Sequence, residues 1–187
     1  MSDPLDDIGQ MVDEHGPAVY RYLARRVGGQ AAEDLTADVL CAAVAGAHTY
    51  DPARGSPIAW LMGIATNALT RHWRTEQRQL EVVSRLGADP LRRPTVDAPD
   101  RHAAGSDDLR AVARVLATLP DGEREALLLF AWADLPYGDV AAALGIPIGT
   151  VRSRIARARS RLRVELDVPD RPSDDTDAVH DTGGSND

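Results

Sequence analysis

The chain has 187 residues, a formal net charge of -8 and a single cysteine, Cys41, which excludes an intrachain disulfide and any cysteine-based metal cluster. No apolar run reaches the roughly 18 residues of a membrane span and no basic, apolar leader is present, so the expectation is a soluble cytoplasmic protein without membrane insertion. Hydrophobic residues make up 43% of the chain but aromatics only 4%, so its cores must be built from Ala, Leu, Val and Ile, which suits helices better than sheets.

From Ile8 to Val27 the apolar spacing predicts one broken helix or two short ones, interrupted at Gly16 and Pro17. A second helix is expected over Ala32 to Ala45, with Glu33 and Asp34 near its positive end and Cys41 as a small buried hydrophobe. DPARGSP follows as a loop containing Arg54, and Ile58 to Arg74 reads as a long third helix that continues through TEQRQLEVVSRL. On this helix Trp60, Asn67, Arg71 and Arg74 cluster on one side, away from Leu61, Ala65 and Leu69. Such a face suits nucleic acid: Asn pairs a donor with an acceptor, Trp offers a stacking platform and Arg a phosphate contact. Trp60 reads equally as a core residue.

Residues 87–106 are rich in Pro, Asp, Gly and Ala without periodicity and read as a flexible linker. Helical spacing resumes in LRAVARVLATL, stops at Pro120, and returns in GEREALLLFAWADL and YGDVAAALG. The one strongly basic element comes next: Arg152 to Arg163 hold six arginines and no acid. At 100° per residue Val151, Ile155, Ala158 and Leu162 form a docking stripe. Opposite lie the small residues Gly149, Ser153, Ala156 and Ser160. Arg152, Arg159 and Arg163 fall on one flank and Arg154, Arg157 and Arg161 on the other. A helix entering a major groove needs close approach at its centre and positive charge toward the phosphates on both sides. Upstream, Gly145 permits a turn and Pro147 sits where the helix should begin, so the two helices read as a helix-turn-helix with Thr150 in the first turn of the second. The end of the chain, 167–187, is acidic and is expected to be disordered.

The segment LPYGDVAAALGIPIGTVRSRIARARSRLRVEL resembles region 4 of the extracytoplasmic-function (ECF) sigma factors, the small alternative sigma subunits of bacterial RNA polymerase. The family run GTVKSRLxRARxxL appears as GTVRSRIARARSRL, from Gly149 to Leu162. AEDLTADVL is similar to the AEDLTQEVF of sigma region 2.2, and AWLMGIATNALTRHWR to the region 2.3 to 2.4 motif xWLxxIARNxxxDxxR. Ala37, Gly63, Thr66 and Arg71 depart from the region 2 pattern, Gly63 standing where a basic residue is frequent. The departures in region 4 are Asp134, Pro136 and Gly138.

The resemblance implies an all-α protein of two small helical domains. Residues 1–86 would bind core polymerase and the minus-10 element, 87–106 would be a linker, and 107–166 a helix-turn-helix domain for the minus-35 element. It implies polymerase contacts at Asp34 and Asp38 and minus-10 contacts at Arg54, Trp60, Asn67, Arg71 and Arg74. The implied minus-35 contacts are Gly149, Thr150, Arg152, Ser153, Arg154, Arg157 and Arg161. The implied partners are the beta-prime and beta subunits of core polymerase, promoter DNA and an anti-sigma factor, with the chain monomeric on the polymerase. No cofactor, metal or catalytic set is expected: His15, His48, His72, His102 and His180 are scattered, and no HExxH, GxSxG or Walker A sequence occurs. Without the resemblance, the residues leave open an independent dimeric helix-turn-helix regulator, which would need a dimerisation surface in residues 1–86 and a palindromic site.

Overall fold

The computed structural model describes residues 4–85 and 107–167. The linker reading for 87–106 and nearly all of the acidic tail lie outside the described residues. Those described form an all-α fold: α1 (Pro4–Val27), α2 (Gly29–Ala45), a short 3-10 turn (Ala47–Thr49), α3 (Pro57–Arg85), α4 (Asp107–Thr118), α5 (Asp121–Trp132), α6 (Tyr137–Leu144) and α7 (Ile148–Glu165). No helix among the described residues is long and apolar enough to cross a membrane.

The first three helices pack on one another around Val19, Tyr22 and Leu23 of α1, Val39 and Ala43 of α2, and Leu61, Met62, Ala65 and Leu69 of α3. In contrast to the expected break, α1 is one continuous helix with Pro17 inside it. Proline removes the amide that would bond to the carbonyl four residues earlier. Pro17 and Asp13 are both exposed, so water can take that carbonyl's lone pairs at small cost. A second difference is at the start of α2, which begins at Gly29 and carries no acid in its first turn. Glu33 and Asp34 therefore sit beyond the region where the helix dipole acts strongly. Cys41 is exposed, not buried. The buried stripe of α2 is Ala32, Leu35, Val39 and Ala43, and Cys41 falls between its last two members on the far side.

The remaining helices pack α4 and α5 against α7, with α6 touching both α5 and α7. Arg124, buried in α5, reaches back to the carbonyls of Leu116 (3.5 Å) and Ala117 (3.4 Å) near the end of α4 and pairs with Asp121. It thereby satisfies carbonyls that a helix end leaves unpaired. Phe130 joins three helices, its ring 5.1 Å from Tyr137 of α6 and 4.9 Å from the Arg159 guanidinium of α7. The turn between α6 and α7 is a Schellman closure. Gly145 is left-handed at φ 63°, its N-H reaches the Ala142 carbonyl (3.3 Å), and the Ile146 N-H reaches Ala141 (3.1 Å).

The two clusters share one hydrophobic core, because α6 packs against α3 as well as α7. Val151, Ile155 and Ala158 are buried and Leu162 half-buried, the stripe that the arginine helix was expected to present inward. Ile155→Ala should therefore lower the unfolding free energy by about 2–5 kcal/mol. Ala156→Ser, one residue on but exposed, should change it by no more than about 0.5 kcal/mol. Urea unfolding followed by helical circular dichroism separates the two; equal losses would mean the helix is rotated.

Candidate nucleic-acid interface

Two exposed faces carry the residues singled out by sequence. The first is on α7. Gly149, Ser153, Ala156 and Ser160 are all exposed and form the small-residue ridge, with Thr150 half-buried at its start. The Ser153 hydroxyl donates to the Thr150 carbonyl at 3.0 Å, which keeps it close to the helix surface and leaves its own lone pairs facing solvent. Arg152 is exposed beside the ridge.

The opposite flank is held by α5. Arg157 Nε donates to Glu123 Oε1 at 2.8 Å, and Arg161 Nε lies 3.4 Å from Glu123 Oε2. Both arginine side chains remain more than half exposed (56% and 54%), whereas Glu123 is almost fully buried at 9%. One buried carboxylate therefore fixes the stems of two guanidinium groups whose outer edges still face solvent. Arg154 lies over the start of α5, where Gly122 leaves it room: a Cβ at Gly122 would stand 2.9 Å from its guanidinium carbon. Arg159, placed on the far flank by sequence, is folded over Phe130. Sequence reasoning missed the role of Glu123, which stands 34 residues before Arg157 and carries no local signal.

The second face is on α3 and the loop before it. Asn67, Arg71 and Arg74 are exposed at one-turn and two-turn spacing, while Leu61, Ala65 and Leu69 are fully buried on the opposite side. Trp60 lies on the same side as Asn67, half-buried and tilted against the Tyr50 ring with centroids 5.4 Å apart. It serves both readings, part packing and part exposed surface. Arg54 is exposed in a turn made by Asp51, whose carbonyl accepts from the Arg54 N-H (3.0 Å) and whose carboxylate accepts from the Ala53 N-H (3.0 Å). Ser56 caps α3, its Oγ accepting from the Ala59 N-H at 3.3 Å, with Pro57 at the first helical position. Burial, then the Asp139 and Asp51 carboxylates, raise the Tyr50 hydroxyl above its ordinary pKa, so it stays a neutral donor at any physiological pH.

Asp34 and Asp38 stand one turn apart on the exposed side of α2, with Ala37 and Cys41 beside them. Among the described residues no group of three or more His, Cys, Asp or Glu side chains is placed to hold a metal ion.

The family model for Sigma-70 region 2 matches residues 11–79, and that for Sigma-70, region 4 matches residues 109–162. The ECF RNA polymerase sigma factor SigC of Mycobacterium tuberculosis (strain CDC 1551 / Oshkosh) is 38% identical over 152 residues, which cover 81% of this chain and 79% of that protein. The ECF RNA polymerase sigma factor SigK of Mycobacterium sp. (strain KMS) is 30% identical over 156 residues, covering 81% and 78%. Among solved structures, the sigma factor RpoE in complex with the anti-sigma factor NepR from Bartonella quintana superposes with a TM-score of 0.64 at 29% identity, over 88% of this chain and 99% of that one. CnrH in complex with the cytosolic domain of CnrY gives 0.60 at 27% identity, over 87% and 89%. With the region 2 match on α1 to α3, the region 4 match on α4 to α7 and a relative 38% identical over 79% of its own length, the chain belongs to the ECF group of the sigma-70 family of RNA polymerase sigma factors.

Proposed function

We propose that this sigma factor recognises promoters by tethered reading, with residues 1–86 and 107–166 as its two reading units. As a sigma factor the chain binds core RNA polymerase and directs promoter recognition, and the nucleotidyl chemistry belongs to polymerase. The single observation that carries the residue-level reading is the pair of exposed faces on different helices of one chain, Asn67, Arg71 and Arg74 on α3 and Gly149, Arg152 and Ser153 on α7. The α3 face, with Trp60 and Arg54, takes single-stranded minus-10 DNA: Asn67 hydrogen-bonds an extruded base, the indole stacks, and the arginines hold the backbone. The α7 face enters the major groove of the minus-35 element. Thr150, Ser153 and Arg152 reach base edges near its start, while Arg154, Arg157 and Arg161 meet phosphates along one wall.

Asp34 and Asp38 of α2 contact core polymerase. Its beta-prime and beta subunits are the assembly partners, in the cytoplasm, with the chain present as one copy. The relatives of similar structure were solved with NepR and with CnrY, and an anti-sigma factor is the corresponding partner here. Connecting the two units raises the effective concentration of the second contact once the first has formed, so neither face has to bind tightly alone.

The test is promoter-dependent melting with host core polymerase and permanganate detection of unpaired thymines. Melting that requires both this chain and core enzyme is expected; duplex binding without polymerase-dependent melting would overturn the reading. Asn67→Ala should reduce open complexes by about tenfold, the value of one good base contact, with core polymerase affinity unchanged in a pull-down titration. Arg152→Ala should weaken binding of a minus-35 duplex by about 5-fold to 150-fold if it reads a base edge. If it holds only a phosphate, the log-log salt slope should instead flatten by about 0.9 with little change in sequence preference. Fluorescence anisotropy across a salt series distinguishes these two roles.

A further inference from the structure

Glu123 sits in the first turn of α5, where a carboxylate beside the positive end of the helix dipole is favourable. An exposed acid supplies the same benefit, and Asp121, with its side chain 92% exposed, already does. Burying the Glu123 side chain to 9% exposure adds a desolvation cost that the dipole does not require. That cost is only partly offset. Oε1 accepts from Arg157 Nε at 2.8 Å, whereas Oε2 accepts no hydrogen bond among the described residues and has Arg161 Nε at 3.4 Å. Well-packed apolar side chains often fill such places at lower cost. The reason for a carboxylate here lies in the two arginines it holds.

Those arginines belong to one row. Arg154, Arg157 and Arg161, spaced by three and four residues, share a face of α7, and the start of α5 touches all three. Arg154 lies over Gly122, where a Cβ would stand 2.9 Å from both its Cζ and its Nη1. Gly122 has no left-handed φ that calls for glycine, so what the missing side chain provides is space for the guanidinium. The other row is held differently: Arg159 is folded over Phe130, and Arg152 stands exposed.

The chemistry of the guanidinium decides what remains for DNA. Arginine offers five N-H donors in a rigid fork. Glu123 takes the inner donor of Arg157 and faces that of Arg161, so the Nη groups of both stay available for a phosphate, with more than half of each side chain exposed. Phosphate contacts carry no base information, but they fix the register of a helix in its groove. A row set in advance meets phosphates in one register, whereas loose cations find a phosphate in any.

We propose that Glu123 and Gly122 are positioning residues for duplex recognition: they set Arg154, Arg157 and Arg161 as a rail of fixed spacing and thereby favour the minus-35 sequence over other DNA. The inference rests on the reading above that this row meets phosphates. Glu123 is an acid beneath a DNA-facing surface, so its charge opposes DNA of any sequence, while its hold on the row favours only the sequence that matches the fixed register. The two effects separate when the carboxylate is removed.

The test uses the full chain and fluorescence anisotropy, with a short duplex carrying the minus-35 element of a promoter that the parent holoenzyme melts, and the same duplex with that element scrambled. Glu123→Gln keeps the size and one acceptor but turns an amide N-H2 toward Arg161. Its arginine partners are more than half exposed, so no buried cation is stranded, and the melting temperature by circular dichroism should stay close to the parent's. Affinity for the minus-35 duplex should fall about fivefold, the lower end for two arginine side chains that must be ordered on binding. Affinity for the scrambled duplex should stay equal, or rise at low salt. Gly122→Ala favours helix and displaces only the end of the Arg154 side chain, and should reduce the preference in the same direction. Arg157→Lys has one ammonium to divide between Glu123 and phosphate; it should cost minus-35 affinity in the parent and little more when added to Glu123→Gln. A merely structural role lowers both affinities together with the melting temperature, and a merely electrostatic one raises both affinities; either result would overturn the proposal. Arg157→Ala keeps the phosphate reading separate. If it weakens minus-35 binding while Glu123→Gln and Gly122→Ala leave the preference intact, the row meets phosphate and its positioning by α5 is refuted. If Arg157→Ala changes neither affinity, the phosphate reading fails and the rail with it.

Discussion

Small side chains dictate how this molecule is put together. With a single Phe and few other aromatic residues, apolar area has to be buried by bringing backbones close. Dense packing of short side chains leaves little tolerance, because dispersion is lost over a fraction of an ångström. The alanine-rich α6 is where this matters most. Only eight residues long, it touches α3, α5 and α7 at once, and its alanines let all three approach. A helix this short has almost no stability of its own. Its position is set by what surrounds it, and the turn into α7 inherits that position through Gly145.

Charge is arranged on the same principle of fixed position. The chain is acidic overall, yet six of its arginines lie on α7, and two carboxylates of α5 govern how far some of its cations move. Glu123 orients Arg157 and Arg161, and Glu125 orients Arg26. Flexible arginines lose side-chain entropy when they bind a phosphate, and stems already held by a carboxylate have lost part of it beforehand. Neighbouring residues of α5 thus serve the two ends of the molecule, one steadying a DNA-facing row and the other tying the row's platform to the first cluster.

Much of this was legible in the sequence wherever a local period governs. The stripe of Val151, Ile155 and Ala158, the ridge opposite it and the Asn67, Arg71 and Arg74 face all follow from 100° per residue, and the folded chain keeps them. The turn at Gly145 and the start of α7 after Pro147 follow from backbone chemistry. Long-range pairs were not legible, because nothing local marks the partner of Glu125 or Glu123. Arg26 did leave a trace: it continues the apolar stripe of Val19, Tyr22 and Leu23, and a lone cation on a buried stripe asks for a buried anion. Nor did anything local to α6 mark α3 as one of the helices that cross it. Pro17 misled for the opposite reason, since a local breaker is overruled where its freed carbonyl faces water and the flanking turns are held by packing.

That proline also divides α1 energetically. The hydrogen-bond ladder is interrupted at its missing amide, so the turns from Ile8 to Gly16 can open and close without unzipping the turns that follow. Tyr22 and Arg26 lie in the second segment. Exchange of amide hydrogens would accordingly divide α1 into a fast first part and a slow second one, and fraying at the beginning of the helix stops short of the two side chains that bond to Glu125 of α5.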